Sequence, residues 1–292
     1  MAGGDAATLP VARTIADLRL AVLAWRKANL RVAMVPTMGA LHAGHLSLVS
    51  EARRHADRVV VSIFVNPTQF GPGEDFARYP RNEEADAAKR ASVGTDLLYA
   101  PGVAEMYPPG AATTVSVAGV SEGLCAAFRP THFAGVATIV TKLLVQCLPD
   151  TAIFGEKDYQ QLMVIRSLVR DLDLPVKVIG GMTLREADGL AMSSRNAYLS
   201  EDERALAARL PAVLRTAVQR LEAGESAAPV MAQARAELEA AGFDAVQYVE
   251  VRHAETLAPL PRLDAPARVL AAVMLGKTRL IDNWPALPSA IS

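Results

Sequence analysis

Apolar segments of strand length alternate with segments of helical periodicity over about the first 180 residues, and this alternation strongly limits the possible folds. Residues 31–36 and 59–65 are almost uninterrupted apolar runs, as in parallel strands that are buried on both faces. Residues 45–56 lie between them and carry apolar side chains at helical spacings. Together they predict a strand–helix–strand unit within an α/β fold: a Rossmann-like open parallel sheet with helices on both faces.

Further elements follow from the same periodicities. The sequence predicts additional strands at residues 96–100, 113–117, 151–154 and 175–179. It predicts helices at residues 15–28, 83–92, 134–146 and 158–172.

The pattern changes after Asn196. Ser200 and Glu203 form a capping-box pattern, which predicts the start of a long helix over residues 201–223 and precedes a second one over 228–241. Three apolar segments then predict a short antiparallel sheet with a hairpin at Gly276 and Lys277, namely residues 245–251, 267–275 and 278–281. We therefore expect two domains, a Rossmann-like one over residues 1–185 and a smaller α+β one over residues 186–292.

The charge balance gives no general reason for binding to nucleic acid or to an anionic membrane. Thirty Lys and Arg residues stand against 31 Asp and Glu residues, so any bound anion needs a local site. Cys125 and Cys147 are too few for a disulfide framework and lack metal-site spacing, which favours a reducing compartment. The N-terminal sequence does not resemble a signal peptide, and the longest apolar runs are too short to span a membrane. We expect a soluble, cytoplasmic protein.

The segment VPTMGALHAGH, residues 35–45, connects a predicted strand to its helix. Such turns lie at the carboxyl edge of an α/β sheet, and the helix start offers unpaired N–H groups to a phosphate. Gly39 and Gly44 would let the backbone approach the ligand, while His42 and His45 could donate hydrogen bonds to it. Two alternatives stay open. One histidine could merely cap the helix while the other is solvated. Both could instead bind zinc, which would need further ligands without motif spacing, from His55, His132, His253 or carboxylates.

A second polar cluster, residues 154–161, repeats the order of apolar strand, glycine turn and helix. Lys157 near the predicted helix start suits phosphate binding, because a sequence that only complemented the helix dipole would carry carboxylates there. Asp158 and Gln161 are three residues apart and share a helix face. From the sequence alone, Asp158 is equally well a helix-terminal charge and Gln161 a surface residue.

Two further segments place polar side chains at predicted turns. Residues 192–196, MSSRN, combine hydroxyl groups with a guanidinium that suits phosphate, although a plain linker can have the same composition. Asn66 and Gln69 follow the apolar segment 59–65, where their amides would fix a small hydroxy acid. The alternative for this pair is an Asn-Pro turn with a buried glutamine. Arg129 is a weaker candidate for a carboxylate or phosphate clamp.

Six segments in order closely resemble the pantothenate synthetase family, the pantoate–β-alanine ligases of the HxGH nucleotidyltransferase superfamily. They are PTMGALHAGH, VSIFVNPTQF, RYPR, RPTHFAGV, FGEKDYQQL and DGLAMSSRN. The resemblance covers about two thirds of the chain and beyond Leu199 rests on length and layout. It implies a two-step reaction. Pantoate attacks the α-phosphorus of ATP to give pantoyl adenylate and pyrophosphate, and β-alanine then displaces AMP to give pantothenate.

The resemblance also implies roles for individual residues. His45 would be the proton donor, with His42, Lys157 and Arg195 as the other catalytic residues. Gln69 and Gln161 would hold pantoate, and Gln69 would also bind β-alanine. ATP would be bound by Met38, Gly39, Ala40, Leu41, His42, Ala43, Gly44, His45, Gly155, Glu156, Lys157, Asp158, Leu184, Met192, Ser193, Ser194 and Arg195.

The family further implies Mg²⁺, for which no protein ligand is predicted, a homodimer, and a C-terminal domain over residues 186–292 that acts as a lid. Two other functions stay open at this point. Another HxGH adenylyltransferase with a phosphorylated acceptor would call for additional Arg or Lys, whereas the acid-binding candidates are Gln69 and Gln161. A regulatory nucleotide-binding module without turnover would leave the gathering of two histidines, Lys157 and Arg195 unexplained.

Overall fold

The computed structural model describes residues 9–71, 74, 76 and 93–288, which fall into two units. The first unit comprises Met1–Ser116, Thr131–Gly155 and Ile165–Gly181, and the second comprises Val117–Pro130, Glu156–Val164 and Met182–Ser292. The chain therefore passes from one unit to the other more than once. The boundary at residue 185 stays a prediction, and the helix predicted at residues 83–92 lies outside the described residues.

The first unit is built on a parallel sheet of six strands. In chain order the elements are β1 (Val11–Ala12), α1 (Ile15–Lys27), β2 (Val32–Thr37), α2 (Ala43–His55), β3 (Arg58–Ile63), β4 (Leu97–Tyr99), α3 (Val103–Met106), α4 (His132–Cys147), β5 (Thr151–Gly155), α5 (Tyr159–Asp171) and β6 (Lys177–Gly181). The strands lie in the order β1-β4-β3-β2-β5-β6. The helix α5 begins among residues of the second unit and ends in the first.

The predicted strand–helix–strand unit is β2, α2 and β3. Leu48, Val49 and Ala52 of α2 pack on Val35 and Val61 of the two strands in one apolar cluster. Burial of such side chains stabilises the fold by about 1.5–3 kcal/mol for each Val or Leu. The order of the strands reverses between β2 and β5, and ligands of open α/β sheets bind outside the carboxyl ends of the strands at such a point. The turns after β2 and β5 therefore lie where a ligand is expected.

Besides the start of α5, the described residues of the second unit form three helices and an antiparallel sheet of three strands. The elements are α6 (Glu201–Ala207), α7 (Arg209–Glu222), α8 (Ala227–Ala241), β7 (Ala245–His253), β8 (Ala267–Leu275) and β9 (Thr278–Ala286). The strands lie in the order β7-β8-β9. The helices pack on the sheet around apolar side chains such as Leu210, Leu214, Leu238, Val269 and Val273. The parallel sheet with its helices and the smaller antiparallel sheet confirm the predicted fold class.

Some predicted elements are wrong in detail. Residues 113–117 do not form a strand, because the Val115 N–H donates to Thr138 Oγ1 at 2.9 Å and not to a neighbouring strand. The helix predicted over residues 201–223 is interrupted at Ala208, since Pro211 has no N–H to donate to the carbonyl of Ala207. The hairpin at Gly276 is confirmed, with a φ of 56° at that glycine.

Both cysteines are buried, and neither forms a disulfide. Burial raises the pKa of the Cys147 thiol to about 12. Cys125 lies in the second unit, where its Sγ is 3.1 Å from the hydroxyl of Tyr248. In the described ranges, none of the helices combines the length and the apolar character that crossing a membrane requires.

Candidate active site

The turn after β2 has an unusual backbone. Gly39 and Ala40 have φ angles of 89° and 53°, so two consecutive residues are left-handed. Glycine adopts this conformation readily, whereas a residue with a Cβ is strained there by about 1–2 kcal/mol. Thr37 helps to hold the turn, because its Oγ1 donates to the Ser62 carbonyl at 2.6 Å and accepts from the Gly39 N–H at 3.3 Å. Strain of this kind is typical of ligand-binding turns.

The two histidines of the H-x-G-H sequence form a capping box at the start of α2. His42 Nδ1 accepts the N–H of Gly44 at 3.1 Å, and His45 Nδ1 accepts the N–H of His42 at 3.5 Å. A ring nitrogen that accepts a hydrogen bond carries no proton, so each neutral imidazole carries its hydrogen on Nε2. Both histidines thus take part in capping, whereas the capping alternative predicted one capping and one solvated histidine. Capping is compatible with phosphate binding, since it uses Nδ1 and a phosphate would use the Nε2–H.

The described part of the chain offers no further ligands that would complete a zinc site at these histidines. No group of three or more His, Cys, Asp or Glu side chains within residues 9–71, 74, 76 and 93–288 could hold a metal ion. His55, one of the further ligands that the zinc alternative could use, pairs its Nε2 with Glu51 Oε1 at 2.9 Å.

A buried amide network fixes the side chain of Gln69 after β3. Asn66 is 1% exposed, and its Nδ2 donates to Gln69 Oε1 at 3.2 Å and to the Gly135 carbonyl at 3.1 Å. Asn66 Oδ1 accepts the hydroxyl hydrogen of Tyr107 at 2.8 Å. Gln69 Nε2 is 2.9 Å from Met38 Sδ, so the candidate acid-binding turn lies beside the H-x-G-H turn. Two clusters that the sequence predicts separately are therefore adjacent.

Helix α4 supports the same turn through two residues that the sequence analysis did not assign to it. His132 Nδ1 is 2.9 Å from the carbonyl of Gln69. At Gly135 an added Cβ would lie 2.5 Å from the carbonyl oxygen of Thr68, so no larger residue fits unless the backbone moves. The signal for Gly135 was its position inside a helix, where glycine is unfavourable without a packing reason.

The second unit holds the candidate residues that follow β5. Glu156–Asp158 form a 3-10 turn that leads into α5, and Lys157 Nζ is 3.8 Å from Asp158 Oδ2. The Lys157 side chain is 20% exposed. Gln161 is half-buried, and its neighbour Gln160 is buried with its Nε2 bonded to the carbonyls of a preceding loop. The sequence motif predicts a role for Gln161, whereas nothing in it indicates that Gln160 holds the preceding loop.

Leu184 and the 192–195 segment lie together in the second unit. The Met192 N–H donates to the Leu184 carbonyl at 3.0 Å, and Arg185 pairs with Ala191 in an antiparallel bridge. Ser193 caps the following 3-10 turn, because its Oγ accepts the N–H of Arg195 at 3.3 Å. Leu184, which belongs to none of the six motifs, is thus a hydrogen-bonded neighbour of the candidate residue Met192.

The candidate residues therefore fall into two groups. The first unit contains Met38, Gly39, Ala40, Leu41, His42, Ala43, Gly44, His45, Gln69 and Gly155. The second unit contains Arg129, Glu156, Lys157, Asp158, Gln161, Leu184, Met192, Ser193, Ser194 and Arg195.

A glycine turn that leads into a helix N-terminus, at the point where the strand order of a parallel sheet reverses, is an arrangement by which α/β proteins bind nucleotides. The family model for pantoate-beta-alanine ligase matches residues 10–285. The chain therefore belongs to the pantoate–β-alanine ligase family, which confirms the resemblance, and it is a ligase of pantothenate biosynthesis.

Individual relatives agree with this assignment. The pantothenate synthetase of Paramagnetospirillum magneticum is 64% identical over 273 residues, which are 94% of this chain and 96% of the relative. That of Chelativorans sp. is 56% identical and covers 97% of this chain and 100% of the relative.

Solved structures show the same similarity. The pantothenate synthetase of Thermus thermophilus is similar with a TM-score of 0.91 and 47% identity, over 96% of this chain and 100% of that one. The ligase of Francisella tularensis, solved with beta-gamma ATP and β-alanine, has a TM-score of 0.80 and 32% identity, over 94% and 97%.

Proposed function

We propose that this ligase joins pantoate to β-alanine in two steps that consume ATP. In the first step the pantoate carboxylate attacks the α-phosphorus, which gives pantoyl adenylate and releases pyrophosphate. In the second step the amine of β-alanine attacks the acyl carbon, which gives pantothenate and releases AMP. The observation that carries the proposal is the histidine-capped turn after β2. The Francisella tularensis relative, solved with beta-gamma ATP and β-alanine, supports the same substrates.

His42 and His45 are proposed to stabilise negative charge on the phosphates. The hydrogen bonds at Nδ1 place a donor at Nε2 of each ring, and the centres of the two rings are 4.2 Å apart. Each ring can therefore donate to phosphate without losing the cap that orients it. Charge develops on the phosphate oxygens and the leaving pyrophosphate in the transition state, so preoriented donors lower the barrier. In this scheme His45 is the proton donor, and Met38, Gly39, Ala40, Leu41, Ala43 and Gly44 line the nucleotide.

Lys157 and Arg195 are proposed to supply positive charge to the same phosphates. Both lie on turns of defined geometry in the second unit, a 3-10 turn in each case. An ammonium acts as a point charge, whereas a guanidinium can contact two oxygens at once. We propose that the remaining nucleotide contacts come from Gly155, Glu156, Asp158, Leu184, Met192, Ser193 and Ser194.

Gln69 and Gln161 are proposed to bind pantoate, and Gln69 also β-alanine. The Asn66 amide already binds Gln69 Oε1, so the direction of the Gln69 side chain is set before substrate arrives. Such preorganisation lowers the entropy that binding would otherwise cost. The mixed anhydride reacts readily with water, so the site must exclude water until the amine is bound. We propose that residues 186–292 act as the lid that does so.

The remaining expectations are a homodimer, a cytoplasmic location, the domain boundary at residue 185 and a requirement for Mg²⁺. The described residues contain no group of three or more His, Cys, Asp or Glu side chains that could hold a metal ion. Mg²⁺ in phosphoryl transfer is commonly bound by substrate phosphates, water and one or two carboxylates. We therefore propose that the ion binds together with ATP, where it would neutralise phosphate charge.

Detection of pantoyl adenylate is the direct test of the proposed function. The protein is incubated with ATP and pantoate without β-alanine, and pyrophosphate release and pantoyl adenylate are measured. Adenylate that appears only with pantoate and is converted to pantothenate and AMP by β-alanine would support the proposal. Adenylation of a phosphorylated acceptor in place of pantoate would indicate another adenylyltransferase. ATP binding without any turnover would indicate a regulatory module.

A further inference from the structure

The strand β9 carries three consecutive residues that no motif predicts to be functional: Asp282, Asn283 and Trp284. Polar side chains are rare inside a buried strand, yet Asp282 is 2% exposed and Asn283 is 4% exposed. Buried polar groups of this kind must find hydrogen-bond partners. The partners of Asn283 and Asp282 lie in the two nucleotide-binding segments of the second unit.

Asn283 holds the turn that carries Lys157. Its Nδ2 donates to the carbonyls of Glu156 and Lys157, each at 2.9 Å. The two hydrogens of one amide thus fix two consecutive peptide planes, those on either side of the Lys157 Cα. The orientation of these planes sets the direction in which the Lys157 side chain leaves the backbone.

A neighbouring contact holds the same turn through its first side chain. Arg268 of β8 forms a salt bridge with Glu156, and its guanidinium lies 4.1 Å from the centre of the Tyr159 ring. The Arg268 side chain is 9% exposed. The charge of Glu156 is thus compensated by a residue of the antiparallel sheet.

Asp282 extends the support to the second nucleotide-binding segment. Its carboxylate accepts two hydrogen bonds from Arg185 at 2.8 and 2.9 Å, and the Arg185 guanidinium lies 3.9 Å from the centre of the Trp284 ring. Arg185 also donates to the carbonyl of Gly189 at 2.9 Å. Arg185 follows Leu184 directly, so β9 contacts the base of the hairpin that ends at Met192.

We propose that Asn283 is a positioning residue that directs Lys157 toward the phosphates of ATP. The inference rests on the proposed role of Lys157 and adds to it a residue more than a hundred positions further along the chain. Asn283 itself does not touch the substrate. Without its amide, the partly buried carbonyls of Glu156 and Lys157 lose this donor, and the turn can rotate so that the ammonium no longer meets the phosphate in the required direction.

The test is a double-mutant cycle in the full-length chain with Asn283→Ala, Lys157→Ala and the double variant. Adenylate formation is measured as pyrophosphate release, and KM is measured for ATP and for pantoate. We expect Asn283→Ala to slow adenylate formation by about 10- to 100-fold and to raise KM for ATP more than KM for pantoate. In the Lys157→Ala background the same change should alter the rate by less than about twofold, because the residue it positions is absent.

Two further variants separate positioning from folding. Asn283→Leu is similar in volume to the original side chain, has no donors and buries no charge. It should reproduce the kinetic loss, and it decides the question if Asn283→Ala does not fold. Gln247→Ala is the matched control, since Gln247 lies in the same sheet and its amide bonds only to Arg279 among the contacts described. It should leave adenylate formation unchanged.

The outcomes distinguish the two proposals. The positioning role would be overturned if Asn283→Ala slowed adenylate formation by the same factor with and without Lys157. An equal rise of both KM values, or near-normal kinetics of Asn283→Ala, would overturn it as well. If Lys157→Ala itself forms adenylate at the normal rate, the proposed role of Lys157 is wrong, whatever the result for Asn283.

Discussion

The two groups of candidate site residues are held in place by contacts of very different range. In the turn after β2, His42 accepts a hydrogen bond from Gly44, two positions away, and His45 one from His42, three positions away. In the second unit, Asn283 holds the turn of Lys157 from 126 positions away. A local turn can be recognised from its own sequence. A turn that is held from a distant strand carries only part of its information in its own residues.

The largest effects are expected at the proposed phosphate-binding residue of each turn. His45→Ala removes a proposed phosphate donor and one half of the capping box, so adenylate formation should fall by about 10²–10³-fold. Lys157→Ala should have a loss of the same size. Rapid-quench measurement of adenylate under single-turnover conditions checks both. Near-normal rates in folded variants would contradict the assigned roles.

The contact between Asp282 of β9 and Arg185 predicts a large effect on stability. Asp282→Ala leaves Arg185 as a nearly buried charge without its carboxylate, which should lower the free energy of unfolding by about 3 kcal/mol. Glu225→Ala breaks an exposed pair with Arg220 and serves as the control, with a much smaller expected loss because solvent screens exposed charges. Urea denaturation compares them. Similar losses for the two variants would contradict a large contribution of the Asp282–Arg185 pair to the free energy of unfolding.

A smaller effect is expected where α4 meets the acid-binding turn. Gly135→Ala places a methyl group against the backbone of Thr68 and should displace Gln69, which raises KM for pantoate by about tenfold and leaves KM for ATP nearly unchanged. Gln69→Ala should show the same selectivity. The control is Gly102→Ala, since no atom lies within 4 Å of its added Cβ. An equal rise of both KM values would argue against a turn specific for pantoate.

The smallest effect is a dependence on pH near the hairpin of residues 184–192. Hydrogen bonds from Arg204 lower the pKa of Asp188 in the folded chain. A carboxyl group with a lowered pKa stabilises the fold above its unfolded pKa of about 3.9 and loses this contribution as the pH falls through its folded pKa. Asp188→Asn should therefore be less stable than the original chain at neutral pH, by a margin that shrinks as the medium is acidified. Urea denaturation over a range of pH measures the margin, and a margin independent of pH would contradict this.

The sequence analysis found the parallel sheet and the H-x-G-H turn because both depend on residues close together in the chain. The last strand, however, is predicted to end at residue 281, before Asp282, Asn283 and Pro285, which are residue types with low strand propensity. The structure continues β9 to Ala286, because the buried Asp282 and Asn283 find hydrogen-bond partners in distant segments. Propensity was overridden by tertiary contacts, which one sequence does not reveal.

The site shows the same limit. The motif residues were identified individually, but the contact of Gln69 with Met38 and the packing of Gly135 on Thr68 depend on how strands and helices meet. Gln160 was missed beside Gln161, because nothing in the sequence tells which of two adjacent glutamines is buried. A polar pair inside an otherwise apolar strand is the signal that could have drawn attention to Asp282 and Asn283.

The two buried cysteines make the chain suited to fluorescent labelling. The Cys147 thiol, with its pKa raised to about 12, carries almost no thiolate at neutral pH, and Cys125 is shielded from solvent. A maleimide dye would therefore react with cysteines introduced on the surface in preference to the natural ones. One introduced cysteine in each unit would let energy transfer between two dyes follow their separation during turnover, without replacement of any natural residue of the core.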